Sequence, residues 1–140
     1  MKYSFHRIGT HNGNPVIYTE PVLGDLIKTD AEFAGFCRLM DRYVNRKWYW
    51  FINCRDMGWE HISSMYFAKQ MYDHITQKHN DSIIAGWVFN CNIFCRMLFP
   101  LFPEPRLRVM PVDRLELLVT LQQESVAPAL IDHCLNRLKL

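Results

Sequence analysis

Two short β-like runs of apolar and β-branched residues with few charges open the chain, Tyr3 to Ile8 and Pro15 to Thr19, on either side of His11-Asn12-Gly13-Asn14. Asn-Gly between them accepts the positive φ of a tight turn, so a β-hairpin is predicted. A connector runs from Pro21 to Lys28. Thr29-Asp30-Ala31-Glu32 then has capping-box spacing, and Phe33, Phe36, Cys37, Met40, Tyr43 and Val44 recur at intervals of three and four. That is one apolar helical stripe, closed by Asn45-Arg46-Lys47. Trp48 to Asn53 reads as a buried strand, because aromatic and β-branched residues crowd it on both faces. Cys54 to Trp59 is a loop, and a second helix runs from about Glu60 to His79, with Ile62, Met65, Tyr66, Lys69, Tyr72 and Ile75 as its stripe.

Ser82 to Phe89 is the next apolar strand. A third helix comes next over 92–102, capped by Asn90 or Asn92 and limited by Pro100, Pro103 and Pro105. Leu107 to Met110 is a short strand. Asp113 to Gln122 is a fourth helix, with Leu115, Leu118 and Val119 read as facing inward. A last helix runs from Pro128 to Leu135. Strands that alternate with helices predict one α/β domain over residues 1–140: a sandwich with a mixed, mostly parallel sheet of about five strands and helices on both faces.

Composition narrows the function. The chain has 140 residues, 49% of them hydrophobic and 21% charged, with a formal net charge of +2. This is a globular composition without the concentrated basic face that nucleic acid requires. Five cysteines, an odd number at irregular spacing, read as reduced thiols in an intracellular, cytoplasmic protein rather than a disulfide framework. The most apolar stretches, Ile83 to Phe89 and Met97 to Phe102, are shorter than a bilayer span, so the expected membrane contact is at most peripheral.

Catalytic signals are weak. Neither glycine-rich phosphate loop occurs. Cys54 lies where a strand meets a loop, next to Arg55, but no base can be assigned to it, and it reads as structural. Asp56 and Glu60 read as solvated or capping carboxylates. Cys91 and Cys95 lack a second short-spaced pair, and His74 and His79, five residues apart, are expected on different sides of their helix. The reading is therefore no enzyme, no metal site and no cofactor. The helix over 92–102 is the informative segment, since nearly every side of it except that of Arg96 is apolar. Such a helix is wholly buried, packs on a partner chain, or covers something apolar that is not protein.

Four stretches carry a family resemblance. Arg7 to Tyr18 is similar to an opening hairpin of the form "D-x-x-G-R-P-V", matched at Gly13, Pro15 and Val16. Phe51 to Gly58 is similar to a strand ending in "D-x-x-G", with Asp56 two residues before Gly58 instead of three. Trp87 to Phe94 is similar to the junction "I-N-x-P-x-x-F", matched at Asn90 and Phe94 without the proline. Pro103 fits the proline after the helix at that junction, and Arg106 to Met110 and Asp113 to Pro128 are similar to the closing strand and helix. Together the chain resembles the CRAL-TRIO lipid-binding domain over about residues 3–132, in a short, divergent form without the N-terminal helical subdomain.

The resemblance implies a sheet that floors an apolar pocket and a helix over 92–102 that gates it. Trp50, Ile52, Trp87, Phe89, Phe94, Met97, Leu98 and Leu101 would be floor and wall. The expected ligand is a phospholipid or similar hydrophobic molecule, held without catalytic groups. The alternative is a protein-interaction module of STAS-like or divergent CRAL-TRIO type, which binds a protein partner or forms a homodimer, takes no lipid, and uses Trp59 and the loop Asp56 to Glu60 as contact surface.

Overall fold

The structure, a computed structural model, describes residues 3–21, 30–55, 65–101 and 104–138. The expected connector to Lys28, the Thr29 cap, most of the loop from Cys54 to Trp59 and the start of the second helix, with Ile62, lie outside the described residues, as do the side chains of Met65, Tyr66, Phe94 and Leu98. The hairpin forms as its turn chemistry dictates. Strand β1 (Tyr3–His11) runs antiparallel to β2 (Asn14–Pro21), and Asn12 and Gly13 both take positive φ, 50° and 78°, as a type I′ turn demands. The register shifts between Arg7 and Gly9, so β1 carries a bulge at Ile8.

Three more strands, β3 (Trp48–Asn53), β4 (Ile83–Phe89) and β5 (Leu107–Val109), add in sequence order, each parallel to the one before. The sheet is thus five-stranded and mixed, in the order β1-β2-β3-β4-β5. The connections carry α1 (Asp30–Asp41), α2 (Met65–Lys78) and the short α3 (Ile93–Leu98), which ends in a 3-10 turn at Phe99–Leu101. Helices α4 (Arg114–Gln123) and α5 (Pro128–Leu138) complete the described residues.

Alternation along each strand divides the core into two layers. Phe5, Ile17, Trp48, Trp50 and Ile83 pack with Phe36 and Met40 of α1 and Ile75 of α2. Val88, on the same sheet face, packs with Cys54, Cys91 and Cys95 beneath α3. Val16, Tyr18, Tyr49, Phe51, Trp87 and Phe89 face the other way and pack with Leu117 and Leu121 of α4 and Leu130, Ile131 and Cys134 of α5. Helices α1 to α3 thus cover one face, and α4 and α5 the other. Gly86 lets β5 come close, since a Cβ there would meet the Leu107 side chain, which would have to shift.

Three helix expectations change. Helix α1 stops at Asp41, and Tyr43 and Val44 belong to the turns beyond it, held by Tyr43 N–H to Met40 O and Val44 N–H to Asp41 O. Lys69 is not part of the inward stripe of α2: it is exposed and pairs with Asp73 at 3.2 Å. On α4 the phase is different from that expected. Leu117 and Leu121 are buried, Leu118 is half-buried, and Leu115 and Val119 face solvent. Five apolar residues between 115 and 121 satisfy either phase, and Asp113, whose side chain accepts from the Glu116 amide at 3.0 Å, sets where the helix starts.

Candidate functional site

The carboxyl ends of parallel strands are where α/β sheets place their ligands. Here that edge is held by Asn53, buried at the end of β3. Its amide nitrogen donates to Tyr18 Oη at 2.9 Å and to Glu20 Oε2 at 3.2 Å, and its oxygen accepts from the Arg55 backbone amide and from Asn90 Nδ2, both at 3.0 Å. All four capacities of the side chain are used, so Asn53 ties β2, β3 and β4 together. Asn90 sits at φ 55°, in the left-handed region that asparagine tolerates, and turns the chain out of β4 toward α3.

Helix α3 is capped by Asn92, whose Oδ1 accepts from the Cys95 amide at 3.0 Å. Its inner side is pinned by Cys95, fully buried with Cys54, Cys91 and Val88. The hydrogen bond to Cys95 and then burial push the Cys54 thiol well above its usual range, so Cys54 is held protonated and is a poor nucleophile. Burial also pushes Cys37 up to about 11 and Cys134 up to about 12. All five cysteines are buried free thiols.

The outer side of the same segment is apolar too. Ile93, Met97 and Leu101, spaced by four, are 71%, 58% and 60% exposed. Met97 and Leu101 therefore point away from the sheet. Trp50 and Ile52 face the layer of α1 to α3, whereas Trp87 and Phe89 face α4 and α5, because Trp50 is level with Gly86 and Phe51 with Trp87. The expected wall residues are thus divided between opposite faces of the sheet and do not line one cavity. Phe94 and Leu98 have side chains outside the described residues. On the α3 side, the row Ile52, Val88 and Val109 crosses β3, β4 and β5; Ile52 is half-buried and Val109 exposed at the sheet edge. On the α4 side, Pro111, Leu115, Glu116, Val119 and Thr120 line an open cleft of about 360 Å³.

His74 and His79 do not diverge as their spacing suggested. Both direct Nε2 at Asp41 Oδ1, at 2.7 and 2.9 Å. Asp41 closes α1, and His79 lies one residue beyond α2, so the packing of the two helix ends, not the helical wheel, sets where the rings meet. No described helix is long and apolar enough to cross a membrane. The chain thus defines a mixed α/β sandwich with an apolar outer helix at its carboxyl edge. It matches no family model and no curated protein.

Proposed function

We propose that the protein is a non-enzymatic binding protein for an apolar, lipid-class ligand taken up at α3 and the 3-10 turn after it, as the CRAL-TRIO resemblance implies. One observation carries the reading: this segment has apolar side chains on two sides, Cys95 held inward and Ile93, Met97 and Leu101 exposed. Val109, exposed at the sheet edge on the α3 side, extends this apolar surface, whereas Val88 is filled over by Cys54, Cys91 and Cys95, and Trp87 and Phe89 face the other layer. Each buried CH₂ of an acyl chain contributes about 0.8 kcal/mol, so binding of this kind needs no catalytic group. Five buried reduced thiols support a reducing, cytoplasmic setting.

The test is lipid extraction of the purified protein with mass spectrometry, and co-sedimentation with vesicles of phosphatidylcholine and phosphatidylserine, for the wild type and Met97→Asp. Met97 is exposed, so the charge leaves cooperative unfolding intact while lipid and vesicle binding fall at least about tenfold. A wild type that carries no lipid and ignores vesicles refutes the proposal. A second reading, the protein-interaction module, is favoured by the exposed Val112, Leu115 and Val119 around the α4 cleft. Under it, Leu115→Asp converts a dimer or complex to the monomer mass, with no effect on lipid.

A further inference from the structure

We propose that Asp41, His74 and His79 form a binding site for a divalent transition-metal ion of the zinc class. The site lies at the amino ends of β3 and β4, away from the apolar segment, and is independent of the lipid reading. One ligand atom from each of the three residues lies within 4.8 Å of the other two. Two imidazoles and one carboxylate suit zinc and its neighbours rather than calcium or magnesium, which prefer oxygen alone.

The geometry is close to what an ion needs. The two Nε2 atoms stand 2.7 and 2.9 Å from Asp41 Oδ1. Ligands bound tetrahedrally to zinc stand about 3.3 Å apart, so the two Nε2–Oδ1 distances have to lengthen by about half an ångström, and all three donor atoms already lie within 4.8 Å of one another. The set is closed on one side and open on the other. His79 is fully buried, its ring edge-to-face with Trp48 at 5.9 Å, while the His74 and Asp41 side chains keep 15% and 30% of their surface. Three protein ligands with one open side leave a position for water. Lys78 Nζ stands 3.9 Å from Asp41 Oδ2, but its side chain is 59% exposed and free to turn to solvent. An ion here joins the ends of two helices that lead into neighbouring parallel strands.

The test uses the full chain, stripped with EDTA and titrated with zinc chloride against a chromophoric chelator, then with cobalt chloride for its absorption spectrum. One ion binds per chain, and the unfolding temperature rises with zinc concentration. His74→Ala and Asp41→Asn each raise the dissociation constant at least about tenfold, since loss of a direct ligand costs no less than loss of its supporting partner. His74 is mostly but not fully buried, and Asp41→Asn retains a hydrogen-bond acceptor, so at least one variant keeps cooperative unfolding. The cobalt spectrum shows d–d bands that both variants remove. Absence of binding at micromolar zinc overturns the proposal. So does binding that both variants leave unchanged, or a thiolate-to-cobalt charge-transfer band that survives them, which would assign the metal to the cysteines.

Discussion

Truncating Leu121 and Leu115 in turn, each to alanine, tests the phase of α4, on which the position of the open apolar cleft depends. Leu121 is fully buried among Tyr18, Phe51, Phe89 and Leu117, whereas Leu115 is 68% exposed. Leu→Ala removes three carbons, a transfer loss of about 2.4 kcal/mol at 0.8 kcal/mol each. The cavity left in a packed core raises this to about 3–4 kcal/mol. Unfolding entropy near 2.1 cal/mol/K per residue gives about 0.3 kcal/mol/K for a chain of 140 residues. Leu121→Ala should therefore lower Tm by about 10 °C or slightly more. Leu115→Ala, which opens no cavity, should stay within about 0.5 kcal/mol, a change under about 2 °C. Differential scanning calorimetry with matched urea titrations measures both, and an unchanged m-value shows that the comparison is between like unfolded states. If Leu115→Ala costs as much as Leu121→Ala, the helix is rotated by about a quarter turn and the cleft at Leu115 and Val119 does not exist.

Two further outcomes rest on buried groups. Burial holds His79 and His11 below the ordinary histidine value of 6.5, so the unfolded chain takes up protons first; their contribution is complete above about pH 6.5 and is lost as pH falls through the folded values. Asp41, which burial alone would raise but which hydrogen bonds from His79 and His74 hold below the ordinary carboxylate value, acts in the same direction lower on the scale. Urea midpoints should thus fall from pH 8 to pH 5, with a smaller fall in His79→Gln; an equal fall in the variant contradicts the assignment. Gly86→Ala should cost about 1–3 kcal/mol through its collision with Leu107, and Leu107→Ala in the same chain should recover part of that loss in urea unfolding.

Much of the fold was legible because its signals are local. Asn12-Gly13 determines a turn type by backbone sterics alone, and that turn in turn pairs the strands on either side of it. The run Trp48 to Asn53 and the strand Ile83 to Phe89 are apolar without a break, which marks them as interior strands of a parallel sheet. The same property hides their faces. When both sides of a strand are apolar, nothing in the strand says which residues share a layer, and only the register, Trp50 level with Gly86 and Phe51 level with Trp87, separates Trp50 and Ile52 from Trp87 and Phe89. No single pocket can be assembled from all four. On α4 the failure is the same in helical form, since Leu115, Leu117, Leu118, Val119 and Leu121 fit more than one inward face.

The meeting of Asp41, His74 and His79 was missed for a different reason, and the signal for it was present. Five residues on a helix turn through about 140°, which argues for divergence when the helix is taken alone. The topology says otherwise. Helix α1 leads into β3 and α2 leads into β4, and consecutive parallel strands joined by crossovers of one hand lie side by side. Their preceding helices must then bring their carboxyl-terminal turns together on the same face of the sheet. Asp41 is the last residue of one such turn, and His74 and His79 bracket the other. With one acidic residue on one helix end and two imidazoles at the next, a shared contact is the geometry that gives the carboxylate and both rings a partner beside the buried Trp48 ring. Titratable residues at the ends of helices that precede neighbouring parallel strands are therefore best read in pairs of helices rather than along one wheel.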